Sequence, residues 1–169
     1  NIYQDISART GGEIYLGVVG PVRSGKSTFI KRFMELLVLP EIKDENERKR
    51  TMDELPQSGT GKMVMTTEPK FIPKEAAELP MEDMKIKIRL IDCVGFMIPG
   101  AGGNLENGQE RLVKTPWFDY EVPFTKAAEF GTRKVIRDHS TIGILVTADG
   151  SFGEIPRDSY VEAEKKTVA

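Results

Sequence analysis

The chain is poor in the residues that build disulfides and histidine-based sites, and it has no long apolar run. It contains one cysteine, Cys93, which excludes a disulfide within these 169 residues and is typical of a reducing compartment. Its one histidine, His139, lies between a predicted helix and a predicted strand. We expect a structural role there and keep a catalytic role as the alternative. No stretch approaches the roughly 18 apolar residues of a membrane-spanning helix, so direct membrane insertion is not expected.

An excess of positive charge is also missing. The 24 Lys and Arg residues and the 26 Asp and Glu residues give a formal net charge of −2, so nucleic acid is not an expected partner. A basic cluster does occur at Arg48–Arg50, but acidic residues surround it, and we interpret this stretch as a solvated face. With 39% hydrophobic and 30% charged residues, the composition is that of an ordinary globular domain.

The chain does contain a glycine-rich phosphate-binding motif. Residues 20–27 read G-P-V-R-S-G-K-S, which matches the pattern G-x-x-x-x-G-K-S. In this motif the backbone N–H groups point at the phosphates, Lys26 reaches the β- and γ-phosphates, and the hydroxyl of Ser27 is a Mg²⁺ ligand. An apolar strand is predicted before it and a helix after it, as the motif requires. The predicted nucleotide-binding residues here are Gly20, Pro21, Val22, Arg23, Ser24, Gly25, Lys26, Ser27 and Thr28.

A second motif supplies a further acidic partner for the metal. Alternating apolar residues predict a strand over residues 86–91, and the sequence D-C-V-G follows at Asp92–Gly95. An aspartate at the carboxyl end of such a strand is the usual second Mg²⁺ partner in this class of protein, and we predict that role for Asp92. The D-x-x-G form is typical of GTPase-like proteins, in which the glycine, here Gly95, donates its N–H to the γ-phosphate and begins a mobile switch. An aspartate that only caps a strand is the alternative.

A threonine is expected between these two motifs. In GTPase-like proteins its hydroxyl completes the Mg²⁺ shell and senses the γ-phosphate. The loop before Phe71 contains the candidates Thr66 and Thr67, with Thr66 as the predicted metal ligand and Thr60 as a third candidate. β-Branched residues that merely lead into a strand are the alternative. That strand is predicted to be short, bounded by prolines 69 and 73, and at a sheet edge.

The position after Gly95 departs from the small GTPases, which have a glutamine there to orient the attacking water. This chain has Phe96, whose side chain cannot orient water. We therefore expect hydrolysis to be slow, or to depend on a group from elsewhere in the chain or from a neighbouring subunit. Arg23 in the phosphate loop could supply positive charge, although an exposed loop arginine without that role is an equal alternative.

A long segment, residues 99–122, separates this motif from the next predicted helix. It is longer than an ordinary loop and carries Trp117, Phe118 and Tyr120. Three aromatic residues within four positions indicate packing, either on the core of this domain or on another subunit. The helix that follows has apolar residues at helical spacing from Phe124 to Val135.

The order of predicted elements indicates an α/β fold, namely a P-loop NTPase with a GTPase-like mixed sheet flanked by helices. A third buried strand is predicted over residues 141–147, and a charged helix begins near Arg157. In a Ras-like order, the base-reading N-K-x-D motif comes after that helix, hence beyond Ala169. We therefore expect one domain, residues 1–169, that is incomplete at its C-terminal end, and the residues do not choose between ATP and GTP.

Four stretches of the chain resemble the family of stage IV sporulation protein A, the spore-coat morphogenetic ATPases of endospore-forming bacteria. They are the phosphate loop with V-R at 22–23, T-T-E-P-K-F at 66–71, D-C-V-G at 92–95 and E-F-G-T-R-K-V-I at 129–136. The resemblance covers essentially the whole chain. It implies a fold derived from the translation-factor-related GTPases, with ATP and Mg²⁺ as cofactors. It also implies Lys26 and Ser27 as phosphate and Mg²⁺ residues, Asp92 as the acidic metal partner, and Thr66 and Thr67 as nucleotide-sensing residues.

The same resemblance implies that ATP hydrolysis drives self-assembly into a static shell on the outer forespore surface, in the mother-cell cytoplasm. The implied partners are further copies of the protein, other spore-coat proteins and a small membrane-bound sporulation peptide. The last two would be contacted through regions that this sequence does not contain. From the residues alone, a GTPase-like switch protein in signalling or ribosome assembly remains the alternative. A small-molecule kinase is less favoured, because a kinase does not need a D-x-x-G switch.

Overall fold

The computed structural model describes residues 4–5, 8–9, 11–22, 24–56, 68–81, 84–98, 105–151 and 155–169. The strands are β1 Glu13–Val19, β2 Lys70–Met81, β3 Met84–Asp92, β4 Leu105–Glu106, β5 Gln109–Glu110, β6 Leu112–Val113, β7 Val122–Pro123 and β8 Ile142–Leu145. The helices are α1 Lys26–Phe33, α2 Glu45–Asp53, α3 Phe124–Lys134 and α4 Val161–Val168. Short π-helical turns, Met34–Val38 and Val135–His139, prolong α1 and α3, and 3-10 turns lie at Leu39–Glu41 and Arg157–Tyr160. None of the helices within these ranges is long and apolar enough to cross a membrane.

Four strands form the main sheet in the order β2-β3-β1-β8. Strand β1 is parallel to both of its neighbours, and β2 runs antiparallel to β3 at one edge of the sheet. The segment Leu16–Val19 of β1 is a continuous buried run, because helices cover both faces of the sheet at this central strand. The predicted mixed α/β sheet flanked by helices is confirmed.

Strand β2 is longer than predicted. We expected a short strand ending before Pro73, but β2 continues to Met81, with an irregular register between Ile72 and Ala77. The edge position that we predicted explains the difference. At an edge, a proline costs no ladder hydrogen bond on its solvent side, and a bulge can absorb the change in register.

The two faces of the sheet bury different sets of side chains. Val18 and Leu90 pack with Ile30, Met34 and other residues on the α1 side. Their neighbours along the strands point the other way and pack with Val135, as the two-residue period of a strand requires; they are Val19 and Ile91. The sheet therefore lies between α1 on one side and the end of α3 on the other.

The aromatic residues of the long segment pack on this domain itself. The ring centroids of Trp117 and Phe118 lie 5.2 and 5.1 Å from that of Phe130 on α3. Tyr120 contacts Phe118 but remains 60% exposed. His139 makes an edge-on contact with the ring of Phe71, at 5.5 Å between centroids, which is consistent with a structural role. Of the two alternatives for the aromatic residues, the structure shows packing on the domain's own helix.

Candidate functional site

The phosphate loop and the D-x-x-G motif meet at the carboxyl ends of strands β1 and β3. Val18 of β1 is opposite Asp92 of β3 in the parallel register, so both strands end at the same level. The phosphate loop begins directly after β1 and leads into α1, and the D-x-x-G residues begin at the last residue of β3. Carboxyl ends of parallel strands are where α/β sheets bind their ligands.

Glycine is required at both ends of the phosphate loop. Gly20 has φ 142° and Gly25 has φ 95°, which are conformations that favour glycine. A Cβ atom at Gly20 would lie 2.0 Å from the carbonyl oxygen of Val146, so no larger residue fits. Gly25 is the N-cap of α1, and the positive end of this helix therefore faces the loop. This geometry is suited to an anion at the loop.

Lys26 is a buried cation at the start of α1. Its side chain is only 5% exposed, and Nζ donates a hydrogen bond of 2.6 Å to the carbonyl oxygen of Pro21. Burial lowers the pKa of the lysine, while the neighbouring Cys93 and Asp92 side chains act in the opposite direction. An anion beside the ammonium would offset its loss of solvation, so the position fits a phosphate group.

Ser27 and Asp92 form the pair that fits Mg²⁺. Ser27 Oγ donates a hydrogen bond of 3.0 Å to Asp92 Oδ2, whereas the buried Oδ1 has no hydrogen-bond partner in the described part of the chain. Burial raises the pKa of Asp92, and the Lys26 charge and the Ser27 hydroxyl counteract this. No three His, Cys, Asp or Glu side chains cluster elsewhere in the described residues as a metal cage would need. Mg²⁺ typically takes one or two protein oxygens and completes its shell with phosphate and water, which this pair can accommodate.

Gly95 of the D-x-x-G motif lies against the phosphate loop. It has φ 91°, and a Cβ atom there would be 2.2 Å from Gly20 O and 2.9 Å from Lys26 Nζ. Next to it, the N–H of Val22 donates a 2.9 Å hydrogen bond to the carbonyl oxygen of Phe96. The two motifs, 65 residues apart between Ser27 and Asp92, therefore form one structural unit.

The side chain of Phe96 points into the core. It is fully buried in a cluster with Val22, Phe124 and Tyr160, and the guanidinium of Arg133 lies 5.5 Å from its ring centroid. This position holds the water-orienting glutamine of small GTPases. In this chain the Phe96 side chain instead packs with Val22 of the phosphate loop, Phe124 of α3 and Tyr160 of the 3-10 turn Arg157–Tyr160. The sequence motif alone did not indicate this role.

The structure brings most of the predicted site residues together. They are Gly20, Pro21, Val22, Gly25, Lys26, Ser27, Asp92 and Gly95. Ser24 is in the same loop, with a buried hydroxyl that has no hydrogen-bond partner among the described residues. Thr28 is exposed on α1. The predicted residues Arg23, Thr66 and Thr67, with Thr60, lie outside the described residues.

Thr132 is a residue of the candidate site that none of the sequence motifs indicates. It is fully buried on α3, and its Oγ1 accepts a 3.1 Å hydrogen bond from the N–H of Gly95. The G-T-R-K-V-I stretch contained the signal, because a threonine on the buried face of a helix needs a polar partner. What that partner is depends on packing between segments 37 residues apart.

The thiol of Cys93 makes a prediction about pH possible. Burial raises its pKa from 9.0 to about 11, so the folded chain holds this proton more tightly than the unfolded chain. The contribution of this thiol to the free energy of unfolding is therefore present below about pH 9. It is lost as the pH rises toward the folded-state pKa of about 11. When the pH is raised from about 9 to about 11, we expect the free energy of unfolding, measured in urea, to fall by about 2 kcal/mol more in wild-type protein than in Cys93→Ala. Equal losses in the two proteins would contradict this assignment.

Comparison with known proteins gives a consistent result. The family model described as "Stage IV sporulation protein A, ATPase domain" matches residues 1–169. Proteins named "Stage IV sporulation protein A" from Bacillus anthracis, Bacillus subtilis (strain 168) and Clostridioides difficile (strain 630) are 54%, 55% and 57% identical over 169 residues. Each match covers 99% of this chain and 34% of the relative, so the chain spans about a third of the length of these curated relatives. No solved structure was found to match.

The motifs, their geometry and these comparisons agree. The family model extends over the whole chain, and every one of the three relatives is at least 54% identical to it. This chain therefore belongs to the ATPase-domain family of stage IV sporulation protein A.

Proposed function

We propose that this domain binds ATP with Mg²⁺ and hydrolyses it slowly, and that in the whole protein this hydrolysis drives self-assembly into a shell around the forespore. The proposal rests on the site that the phosphate loop and the D-x-x-G motif form together at the carboxyl ends of β1 and β3. There, the buried ammonium of Lys26 and the Ser27–Asp92 pair lie beside the backbone of Gly95. A buried cation next to a hydroxyl–carboxylate pair is what a Mg²⁺–triphosphate requires.

The fold supports the GTPase-like branch of the P-loop NTPases. In the main sheet β1 is central, β3 and β8 are parallel to it, and β2 is antiparallel at one edge. The phosphate loop follows the central strand, and D-x-x-G follows its neighbour. The choice of ATP over GTP rests on the family description, which names an ATPase domain.

Each group at the site has a role in this proposal. The loop amides and the N-terminus of α1 would bind the phosphates, and Lys26 would neutralise their charge. Ser27 and Asp92 would hold Mg²⁺, which when bound neutralises charge on the β- and γ-phosphate oxygens. We propose Thr66 as a further metal ligand and, with Thr67, as a sensor of the γ-phosphate. Because Phe96 points into the core, no side chain at that position orients water, and slow hydrolysis is expected.

Slow hydrolysis suits one turnover for each assembly event better than rapid cycling. On the strength of the family, we propose that the whole protein acts in the mother-cell cytoplasm at the outer forespore surface. Its proposed partners are further copies of itself, other spore-coat proteins and a small membrane-bound sporulation peptide. The contacts with the last two are assigned to regions outside this sequence.

We also propose that the nucleotide-binding domain includes further strands beyond these residues. Strand β8 is at one edge of the described sheet, and its Ile142 and Leu145 are 38% and 41% exposed. A groove beside it is lined by Gly143 and Leu145 of this strand together with Thr167 and Val168 of α4. A further parallel strand on this edge would cover the apolar side chains and could carry the base-reading residues.

Competition between nucleotides tests the proposed function. In the whole protein, we expect phosphate release from labelled ATP to be suppressed by unlabelled ATP far more than by the same concentration of GTP. Chelation of Mg²⁺ by EDTA should stop the release, because the charge on the phosphates is then not neutralised. GTP binding far tighter than ATP binding would favour a GTPase-like switch protein instead. Transfer of the label to an acceptor other than water would favour a kinase.

A further inference from the structure

Thr132 holds the switch glycine through a hydrogen bond of defined direction. Its Oγ1 donates a 2.8 Å hydrogen bond to the carbonyl oxygen of Ala128, one turn earlier in α3. The hydroxyl proton is thereby committed, and an oxygen lone pair accepts the N–H of Gly95 at 3.1 Å. The buried amide of Gly95 thus has a partner that belongs to the protein itself.

In GTPase-like proteins the amide of the D-x-x-G glycine binds the γ-phosphate, and Gly95 occupies that position in this chain. The position of a Cβ atom at Gly95 would be 2.9 Å from Lys26 Nζ, so the backbone of Gly95 lies beside the lysine that is proposed to bind the β- and γ-phosphates. A single N–H group cannot make two full-strength hydrogen bonds in different directions. A phosphate oxygen and the hydroxyl of Thr132 are therefore competing acceptors for this donor.

We propose that Thr132 is a positioning residue that withholds the Gly95 amide from the nucleotide until a γ-phosphate displaces its hydroxyl. This inference rests on the proposed ATP binding and deepens it. A diphosphate has no γ-phosphate and leaves the Thr132–Gly95 bond intact, whereas a triphosphate spends part of its binding free energy on breaking that bond. Thr132 consequently lowers the affinity for ATP relative to ADP.

The bond also connects the nucleotide to helix α3. Thr132 is on this helix, and its neighbour Arg133 covers the ring of Phe96, the residue after the switch glycine. Displacement of the Thr132 hydroxyl thus changes how α3 contacts the D-x-x-G segment, at Gly95 through Thr132 and at Phe96 through Arg133. Phe130 on the same helix contacts the rings of Trp117 and Phe118.

Three variants separate this role from a purely structural one. Thr132→Val removes the acceptor and keeps the shape, and Thr132→Ser keeps the acceptor. Thr167→Val is the matched control, because Thr167 makes the same 2.8 Å hydrogen bond to the residue four positions earlier, Ala163, on α4. The measurement is the dissociation constant of the whole protein with Mg²⁺ for ADP and for a non-hydrolysable ATP analogue.

We expect Thr132→Val to raise the affinity for the ATP analogue relative to ADP by about tenfold, because until a γ-phosphate binds, its Gly95 amide keeps only the sulfur of Cys93, a weak acceptor, in place of the Thr132 hydroxyl. Thr132→Ser and Thr167→Val should keep the wild-type ratio. An unchanged ratio in Thr132→Val, with wild-type binding of both nucleotides intact, overturns the inference and leaves the proposed function standing. Wild-type protein that binds the ATP analogue no better than Lys26→Ala overturns both.

If Thr132→Val does not fold, NMR of isotope-labelled wild-type protein tests the inference instead. The inference requires the Gly95 amide resonance to move when ADP is replaced by the ATP analogue, since the amide changes its acceptor. An amide resonance that stays in place overturns it.

Discussion

Replacement of Lys26 by alanine is expected to lower ATP hydrolysis by about 10²–10³-fold, the typical effect of losing one group that stabilises charge in a transition state. The structure gives the reason. The ammonium is buried at the start of α1, in contact with the loop carbonyl of Pro21 and beside Gly95. Phosphate release at saturating ATP, measured on the whole protein, checks the rate, and sedimentation of the same samples checks assembly.

The stability of this variant is expected to change less than its activity. Burial lowers the pKa of Lys26, so alanine removes a desolvation cost, but it also removes the charge that offsets the burial of Asp92. Arg32→Ala is the matched control, because Arg32 is on the same helix with a side chain 71% exposed and paired only with Glu35 in the described residues. It should hydrolyse ATP and assemble as wild type does. A Lys26→Ala protein that hydrolyses and assembles normally would show that the site is not the one proposed.

Phe96→Gln is expected to destabilise the fold by about 4 kcal/mol without speeding hydrolysis. Removing a fully buried aromatic ring costs about 3–5 kcal/mol, and a buried amide without partners adds to the loss. The loss is a large part of the roughly 5–15 kcal/mol that stabilises a typical domain. The new glutamine cannot orient water, because the side chain at this position packs with Phe124 and Tyr160 in the core. Urea unfolding gives the stability, and phosphate release per folded molecule gives the rate.

Phe96→Leu separates the two effects of that change. Leucine keeps the position apolar and leaves a smaller void, so we expect a loss of about 1–2 kcal/mol and an unchanged rate. A glutamine variant that is as stable as wild type and hydrolyses ATP faster would show that the side chain faces the phosphates and not the core. The slow hydrolysis proposed for this family member would then be a direct result of the missing glutamine.

Several parts of the molecule were predictable because they depend on neighbours in sequence. The phosphate loop needs glycine at two positive-φ positions and a strand and helix on either side, and all of these are readable within residues 13–33. The helical spacing from Phe124 to Val135 predicted the buried face of α3, and the alternation of β3 predicted that Asp92 ends a strand. The length of β2 was not predictable, since a proline is a stop signal locally and is tolerated at an edge.

Other features depend on which distant segments pack together. Gly95 meets Thr132 across 37 residues, and Phe96 meets Tyr160 near the other end of the chain. Nothing in the local pattern of either segment specifies those partners, because side-chain packing is set by the arrangement of the elements in space. The contacts of Trp117 and Phe118 with Phe130 depend on the same arrangement of elements.

The sequence alone thus predicted the chemistry proposed for the site: a phosphate loop with Lys26 and Ser27, and an aspartate at the end of a parallel strand. It could do so because that chemistry resides in short motifs whose backbone geometry is local. The tertiary structure alone decided how the site is held and restrained. It placed the ring of Phe96 in the core and brought the amide of Gly95 within hydrogen-bonding distance of the Thr132 hydroxyl. Both contacts depend on the position of α3 beside the carboxyl ends of the strands.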